Sequence, residues 1–308
     1  MLKYLARRIV LMLVALFIIC TLTFFLMQLL PGSPFNDQKI SDEARARLET
    51  KYGLDRPLVV QYLTYMGNLA QGDLGNSLYY EGRPVLQIIL DRLPVSAFLG
   101  VQSILIGLFA GLALGVFAAL RHNSVWDLAA TVVAVVGVSV PSFVLGPILQ
   151  YWIGVKLEWL PIAFFESWTH SVLPSLALSV FVVATVARFI RSEMLEVLGQ
   201  DYISLAKSKG LSRLEVVVKH ALRNALIPLV TVLFPLTVYL VTGTLIVEQI
   251  FAVPGLGEQF VRAIVVNDYF MIMGTTIFFS VFFILALLLQ DITYGLVDPR
   301  IRISGERE

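Results

Sequence analysis

Charge is scarce in this sequence. Asp, Glu, Lys and Arg make up 15% of its 308 residues, against 57% hydrophobic. Soluble domains carry about 25% charged residues, so the shortage excludes a soluble globular protein. With a mean hydropathy of +0.81, the chain reads as a polytopic membrane protein. The single cysteine, Cys20, lies in an apolar run; it excludes an internal disulfide framework and any multi-cysteine metal site, and reads as a small apolar filler. His122, His170 and His220 stand far apart without HExxH spacing, which removes a zinc hydrolase. No GxxxxGKS or GxxxxGKT stretch occurs, so the chain has no phosphate cradle and cannot hydrolyse ATP by that route. No GxSxG elbow appears, and no His or Lys base lies near the centre of an apolar run, so an intramembrane serine hydrolase lacks its parts. The net charge of +1, with basic residues scattered over short loops, argues against a nucleic-acid partner.

Charges are also missing from the centres of the apolar runs. A charge there costs roughly 2.5–3.5 kcal/mol on insertion scales, and proton- or sodium-coupled carriers retain such residues for work. Glu248 and Arg188 fall at the ends of runs, where they can snorkel. What remains is a pathway without an internal engine.

Six apolar runs are present, at about 9–30, 95–120, 128–153, 172–190, 225–247 and 270–290. Each is near the roughly 20 residues a helix needs to cross a bilayer. Backbone polar groups in lipid must be satisfied within the segment, so the fold class is all-α with six transmembrane helices. The alternating segments of about 10 residues that mark a barrel are absent. The first run exceeds a signal-peptide core and no small-residue cleavage site follows, so it reads as a retained span, with Arg7 and Arg8 as an inside anchor rather than a twin-arginine signal. Of 23 Lys and Arg, 14 fall on one side: Lys3, Arg7, Arg8, Arg121, Arg188, Arg191, Lys207, Lys209, Arg213, Lys219, Arg223, Arg300, Arg302 and Arg307. Both termini are therefore expected in the cytoplasm.

The expected organisation is a tail and first span (1–30), an extracytoplasmic helical segment (31–94), a transmembrane core (95–290) containing a loop at 191–224, and a cytoplasmic tail (291–308). In the outer segment, Ser41 caps a helix over 44–52 that stops at Gly53, and a second helix over 58–70 ends in the turn-rich stretch 72–77. Gly107, Gly111 and Gly115 form a ridge that lets another helix approach closely, within this chain by preference, or on a partner subunit. Pro141, in the stretch Ser139, Val140, Pro141, Ser142, Phe143, kinks the third run. Such a break borders a pathway or is tolerated for packing. Pro228, Pro235 and Gly243 predict a bend in the fifth.

The segment 201–228, DYISLAKSKGLSRLEVVVKHALRNALIP, is polar, mostly basic and centred on one glycine. Its composition puts it on the cytoplasmic side and predicts two short helices hinged at Gly210, presented to a partner. These residues resemble the EAA-type coupling loop of ABC importer permeases, in the dipeptide and oligopeptide form. The matching positions are Tyr202-Ile203, then Ala206, Lys207, Lys209, Gly210 and Leu211, and then His220, Ala221, Leu222, Arg223, Asn224 and Ala225 before Pro228. The similarity runs the length of the chain. It takes in Arg7, Arg8 and Ile9; residues 30–34 (LPGSP); Gly72, Asp73, Leu74, Gly75 and Ser77; Ser139, Pro141 and Phe143; and Leu173, Pro174 and Ser175. It continues through Glu248, Phe251, Pro254, Gly255, Leu256 and Gly257 to Asp298, Pro299 and Arg300. Two departures occur: Ser204 stands where the general motif has a glutamate, and Ser33 where many relatives have Asp.

The resemblance is to the first, B-type permease of such pairs. It implies type I importer architecture in a bacterial inner membrane, and a non-enzymatic subunit that forms half of a peptide pathway. The implied partners are a homologous permease, two ATPase subunits that hold ATP and Mg, an extracytoplasmic solute-binding protein and the lipid bilayer. Residues 202–222 would dock on the ATPase, with Ala206 permitting close approach and Ile203, Leu205, Leu211 and Leu214 supplying apolar contact. Ser139, Pro141, Ser142 and Phe143 would border the pathway. Glu248, Phe251, Pro254, Gly255 and Gly257 would lie near the binding protein or form a Pro-Gly turn. Nickel-chelate and glutathione importers share the pattern. A self-sufficient carrier or channel, or a membrane enzyme using His170 or His220, are the competing classes.

Overall fold

The computed structural model describes residues 2–29, 42–80 and 82–297. Residues 30–34, the Ser41 cap, the 298–300 motif, Arg302 and Arg307 lie outside the described residues.

Apart from turns, the irregular stretch 157–167 and one isolated bridge, the described chain is helical. In order the helices are α1 (Leu2–Leu29), α2 (Asp42–Tyr52), α3 (Leu58–Ala70), α4 (Val85–Leu120), α5 (Val125–Ser139), α6 (Ser142–Leu149), α7 (Val172–Leu198) and α8 (Asp201–Ser208). They are followed by α9 (Arg213–Glu215), α10 (Arg223–Gly243), α11 (Leu245–Ile250), α12 (Leu256–Val265) and α13 (Tyr269–Val297). Among the described residues, four helices are long and apolar enough to cross a membrane: Arg7–Leu29, Val85–Leu120, Trp168–Leu198 and Tyr269–Thr293. The pair Val125–Ser139 and Ser142–Lys156, bent by 102°, is a fifth if counted as one span. The remaining expected run, 225–247, is occupied by α10 and α11, interrupted at Thr244.

Two compact units divide the chain, Met1–Pro94 with Gly255–Leu285, and Val95–Pro254 with Ala286–Glu308. In the first, Cys20 and Phe24 of α1 pack with Tyr65 of α3 and with Met273 and Ile277 of α13. Phe24 stacks on Tyr65 with ring centroids 5.5 Å apart. Helix α2 stops where expected, at Gly53 with φ +69°, and α3 spans the predicted residues before the turn at 72–77. That turn is held by Asp268. Its buried carboxylate accepts from the Ser77 hydroxyl, from the Leu78 N–H at 3.1 Å and from the Met271 N–H at 3.3 Å, so one side chain joins the turn to the start of α13.

In the second unit α7 is the central helix, buried along much of its length by α4, α5, α6 and α10. The glycine ridge of α4 meets it within the chain. A Cβ on Gly111 would lie 2.9 Å from the Val183 carbonyl oxygen, and one on Gly115 would lie 2.6 Å from that of Ala187. Gly137 of α5 makes the matching approach, its Cβ position 3.0 Å from the Ala184 methyl. Small residues on three helices thus set the interaxial distance.

One expectation about charge is corrected here. Glu248 does not snorkel: it is fully buried and accepts from Ser96 Oγ at 2.6 Å and from the Thr244 hydroxyl. Asp127, near the start of α5, is also buried, and it is paired with Arg191 of α7. Both acids carry their own donors inside the bundle, which is how such groups are tolerated there.

Candidate functional site

The loop after α7 is built by local capping. Helix α8 ends at Ser208 with Lys209 as its C-cap, and Gly210 then takes φ +81°, a left-handed geometry that suits a residue without a side chain. Its N–H donates to the Lys207 carbonyl at 3.0 Å, and the Leu211 N–H to that of Ala206 at 3.4 Å. Two residues on, Ser212 opens the next helix with a capping box. Its Oγ accepts from the Glu215 N–H at 3.3 Å, and the Glu215 carboxylate accepts from the Ser212 N–H at 3.1 Å. The Ser212 hydroxyl first, then its N–H and Lys219, hold the Glu215 carboxyl below its usual range. The expected hinge is therefore where the glycine is. The second helix, however, is not a separate short piece: α9 passes through a π-helical turn, Val216–Leu222, straight into α10.

Burial sorts the predicted loop residues into two faces. Ile203 and Ala206 are buried, packed in one cluster with Val216, Val217 and Ala221. This corrects the expectation that Ile203 and Ala206 meet a partner: the small Ala206 admits the chain's own helix. Facing out are Tyr202, Leu205, Lys207, Lys209, Gly210, Leu214 and Arg223. Leu214 is 73% exposed and Leu205 56%, an apolar pair among basic side chains. Leu211 and His220 are half-buried. Asn224 staples the two arms, its Nδ2 donating to Tyr202 Oη at 3.0 Å and to the His220 carbonyl at 2.8 Å. Arg213, on which sequence reasoning placed no role, donates to the Leu120 carbonyl at 3.3 Å and so ties the loop to the C-terminal end of α4.

At the second candidate position the expected kink is a full break. Val140 is extended, Pro141 is the N-cap of α6, and the two helices diverge by 102°. Pro141 lacks an N–H and restricts the residue before it, which together end α5. Ser139, Pro141 and Phe143 are exposed and Ser142 is half-buried; the Ser139 hydroxyl returns to the Val135 carbonyl at 2.8 Å.

The third candidate stretch is mostly interior. Glu248 and Phe251 are buried in the second unit, where the Phe251 carbonyl accepts from the Phe164 N–H at 2.8 Å. In the first unit Gly255 and Gly257 are buried at the start of α12. Only Pro254 of the five named residues is exposed. Binding-protein contact through Glu248, Phe251, Gly255 or Gly257 is therefore corrected to a packing role. No cluster of His, Cys, Asp or Glu able to hold a metal occurs among the described residues.

Comparison with known proteins gives a consistent picture. Residues 111–303 match the family described as "Binding-protein-dependent transport system inner membrane component", and residues 1–100 match its N-terminal counterpart. The "Dipeptide transport system permease protein DppB" of Bacillus subtilis is 46% identical over 304 residues, covering 98% of this chain and 99% of that protein. Its namesake in Lactococcus lactis is 44% identical over 303 residues, covering 98% and 100%. The "Oligopeptide transport system permease protein OppB" of Haemophilus influenzae is 39% identical over 305 residues, covering 98% and 100%. Among solved structures, the inward-facing MetNI methionine ABC transporter superposes with a TM-score of 0.58 at 17% identity, over 69% of this chain and 97% of that one. At that identity the likeness concerns the fold.

Proposed function

The chain belongs to the family of binding-protein-dependent transport system inner membrane components, and on that premise we propose that it is the permease subunit of a peptide importer driven by separate ATPases. The observation that carries the reading is identity of 44–46% with dipeptide permeases along the whole chain. In this reading six segments cross the membrane, with α10 and α11 as the fifth, and both termini are cytoplasmic. The subunit pairs with a second permease, two ATP-binding subunits and a solute-binding protein. It has no catalytic residues of its own; ATP and Mg act on the partners.

Coupling would enter through the outward face of the loop, Tyr202, Leu205, Lys207, Lys209, Gly210, Leu214 and Arg223. Closure of the ATPases on nucleotide would move α8 and α9. The unbroken path from α9 through the π turn into α10 would carry that motion to the membrane core. Nucleotide shifts the equilibrium only by its differential affinity for the two states of the whole complex. The fold supports this division of labour, since the loop is anchored by buried residues and leaves a separate surface for docking.

The test is reconstitution of the complete importer in proteoliposomes with labelled di- and tripeptides. ATP-dependent peptide uptake is expected, and Gly210→Pro should abolish it while leaving the subunit inserted and assembled. Nucleotide-independent flux through this chain alone would overturn the reading. Uptake of nickel chelates or glutathione in place of peptides would move the substrate assignment.

A further inference from the structure

On the central helix of the second unit, one cation has no partner among the described residues. Arg188 lies on α7, within the membrane-length helix Trp168–Leu198 and near the end of the apolar run 172–190, and is exposed, with no hydrogen bond or ion pair among the described residues. One turn on, Arg191 is engaged by Asp127 through contacts of 2.6 and 2.8 Å. Arg188 has no such acid. Ionisable side chains within spans mark pathways, and they face a cavity rather than lipid.

Arg188 lines two cavities. One, of about 200 Å³, lies toward Gly115, Ala130 and Arg191. The other, about 330 Å³, is walled by Arg188 together with Val138, Phe181, Thr185 and Phe189. Val138 belongs to the last turn of α5, beside the break at Pro141. The second cavity therefore combines two aromatic rings and a valine, one hydroxyl and one unpaired guanidinium. Small-ligand sites have that make-up, with apolar walls and a few convergent polar groups.

We propose that Arg188 is an anion-binding residue of the translocation pathway, receiving the C-terminal carboxylate of a peptide in the cavity formed with Val138, Phe181, Thr185 and Phe189. This rests on the peptide-importer reading above. A guanidinium presents a planar fork that matches a carboxylate. The cavity holds a terminal residue rather than a whole peptide. The C-terminal carboxylate is the one anion every linear peptide carries whatever its sequence. A single fixed cation thus suits a pathway that passes many sequences, with Phe181 and Phe189 offering apolar surface to the last side chain.

The experiment compares the complete importer carrying wild-type Arg188, Arg188→Gln or Arg188→Lys. Uptake of a neutral tripeptide is measured as the free acid and as the C-terminal amide, in vesicles of phosphatidylcholine alone and with added phosphatidylglycerol. Arg188→Gln should slow the acid about tenfold, the worth of one charged hydrogen bond, leave amide uptake at its wild-type level, and do so in both vesicle types; Arg188→Lys should restore part of the rate. A second readout is maleimide labelling of Thr185→Cys in a Cys20→Ala background within the same importer. The acid should protect the thiol, the amide should not, and Arg188→Gln should remove the protection. Equal slowing of acid and amide, no slowing of either, or an effect confined to anionic vesicles would overturn the proposal, the last by assigning Arg188 to anionic lipid. A wild-type importer that moves no peptide would instead overturn the peptide reading.

Discussion

The guanidinium of Arg191 grips both carboxylate oxygens of Asp127, Nε to one at 2.6 Å and the terminal nitrogen to the other at 2.8 Å. The pair pins the start of α5 to α7, and His122 Nδ1 lies 3.3 Å from the same carboxylate. Asp127 also accepts from the Asn123 N–H at 3.0 Å, where the chain takes a positive φ of 60°. One acid therefore organises the whole turn between α4 and α5.

Breaking that pair from one side leaves the other charge buried. Asp127 is 6% exposed but Arg191 29%, so solvent screens part of the loss and a cost of about 1–3 kcal/mol is expected for Asp127→Asn or Arg191→Gln. Thermal unfolding of the purified subunit in detergent checks this. The double substitution should cost less than the sum of the two, since neither charge is then stranded.

The α4 ridge makes a sharper contrast. Gly115→Ala drives a methyl to 2.6 Å from the Ala187 carbonyl oxygen, where backbone and not a flexible side chain must yield, so about 1–3 kcal/mol should be lost. Gly67 in α3 has nothing within 4 Å of its Cβ position, and Gly67→Ala should gain roughly 0.5–1 kcal/mol from backbone entropy. Equal melting shifts for the two variants would contradict the close approach of α4 to α7.

Local signals in the sequence account for much of this architecture. The glycine stop after α2, the ends of α3, the break at Pro141 and the turn at Gly210 each follow from one residue's backbone chemistry. What was not legible is which way side chains face once distant segments meet. Glu248 looked like a residue at the end of a span until Ser96, 152 positions earlier, supplied its hydrogen bond. Ile203 and Ala206 sit in a stretch that reads as a docking face, yet Val216, Val217 and Ala221 cover them once the chain reverses at Gly210. Asp268 carried a readable signal, an acid one residue before a long apolar helix, which is the pattern of an N-cap.

Glu248 supplies a stability test inside the bundle. Glu248→Ala removes the acceptor shared by Ser96 and Thr244 and leaves a void, for an expected loss of about 2–4 kcal/mol. Ser96→Ala removes one bond only and should cost about 1 kcal/mol. Melting temperatures in detergent should rank in that order. If Ser96→Ala proved the more damaging, Glu248 would not be the centre of the cluster.

A pH step is expected at the start of α9. The Glu215 carboxyl is held below its usual range, with the Ser212 hydroxyl the largest cause. A depressed carboxyl contributes stability above its ordinary value, and loses it as the pH falls through the depressed one. Backbone amides just after Ser212 should therefore stay protected from hydrogen exchange below the normal titration range of glutamate, then open at lower pH. Glu215→Gln should abolish the step.

The two faces of the loop at 201–224 allow stability to be separated from the proposed docking. Ile203 is fully buried, so Ile203→Ala should cost about 2–4 kcal/mol and lower the melting temperature of the subunit. Leu205 and Leu214 are exposed in the isolated chain, and their replacement by Asp should leave stability within about 0.5 kcal/mol. If these side chains insert into a pocket on the ATPase, the same substitutions should release the ATPase from the membrane complex, because each would bury an unpaired carboxylate in the pocket. Co-purification on a tag carried by this chain measures the release. An ATPase that stays bound to Leu205→Asp and Leu214→Asp but dissociates from Ile203→Ala would place the docking determinant in the shape of the loop and not in its outward face.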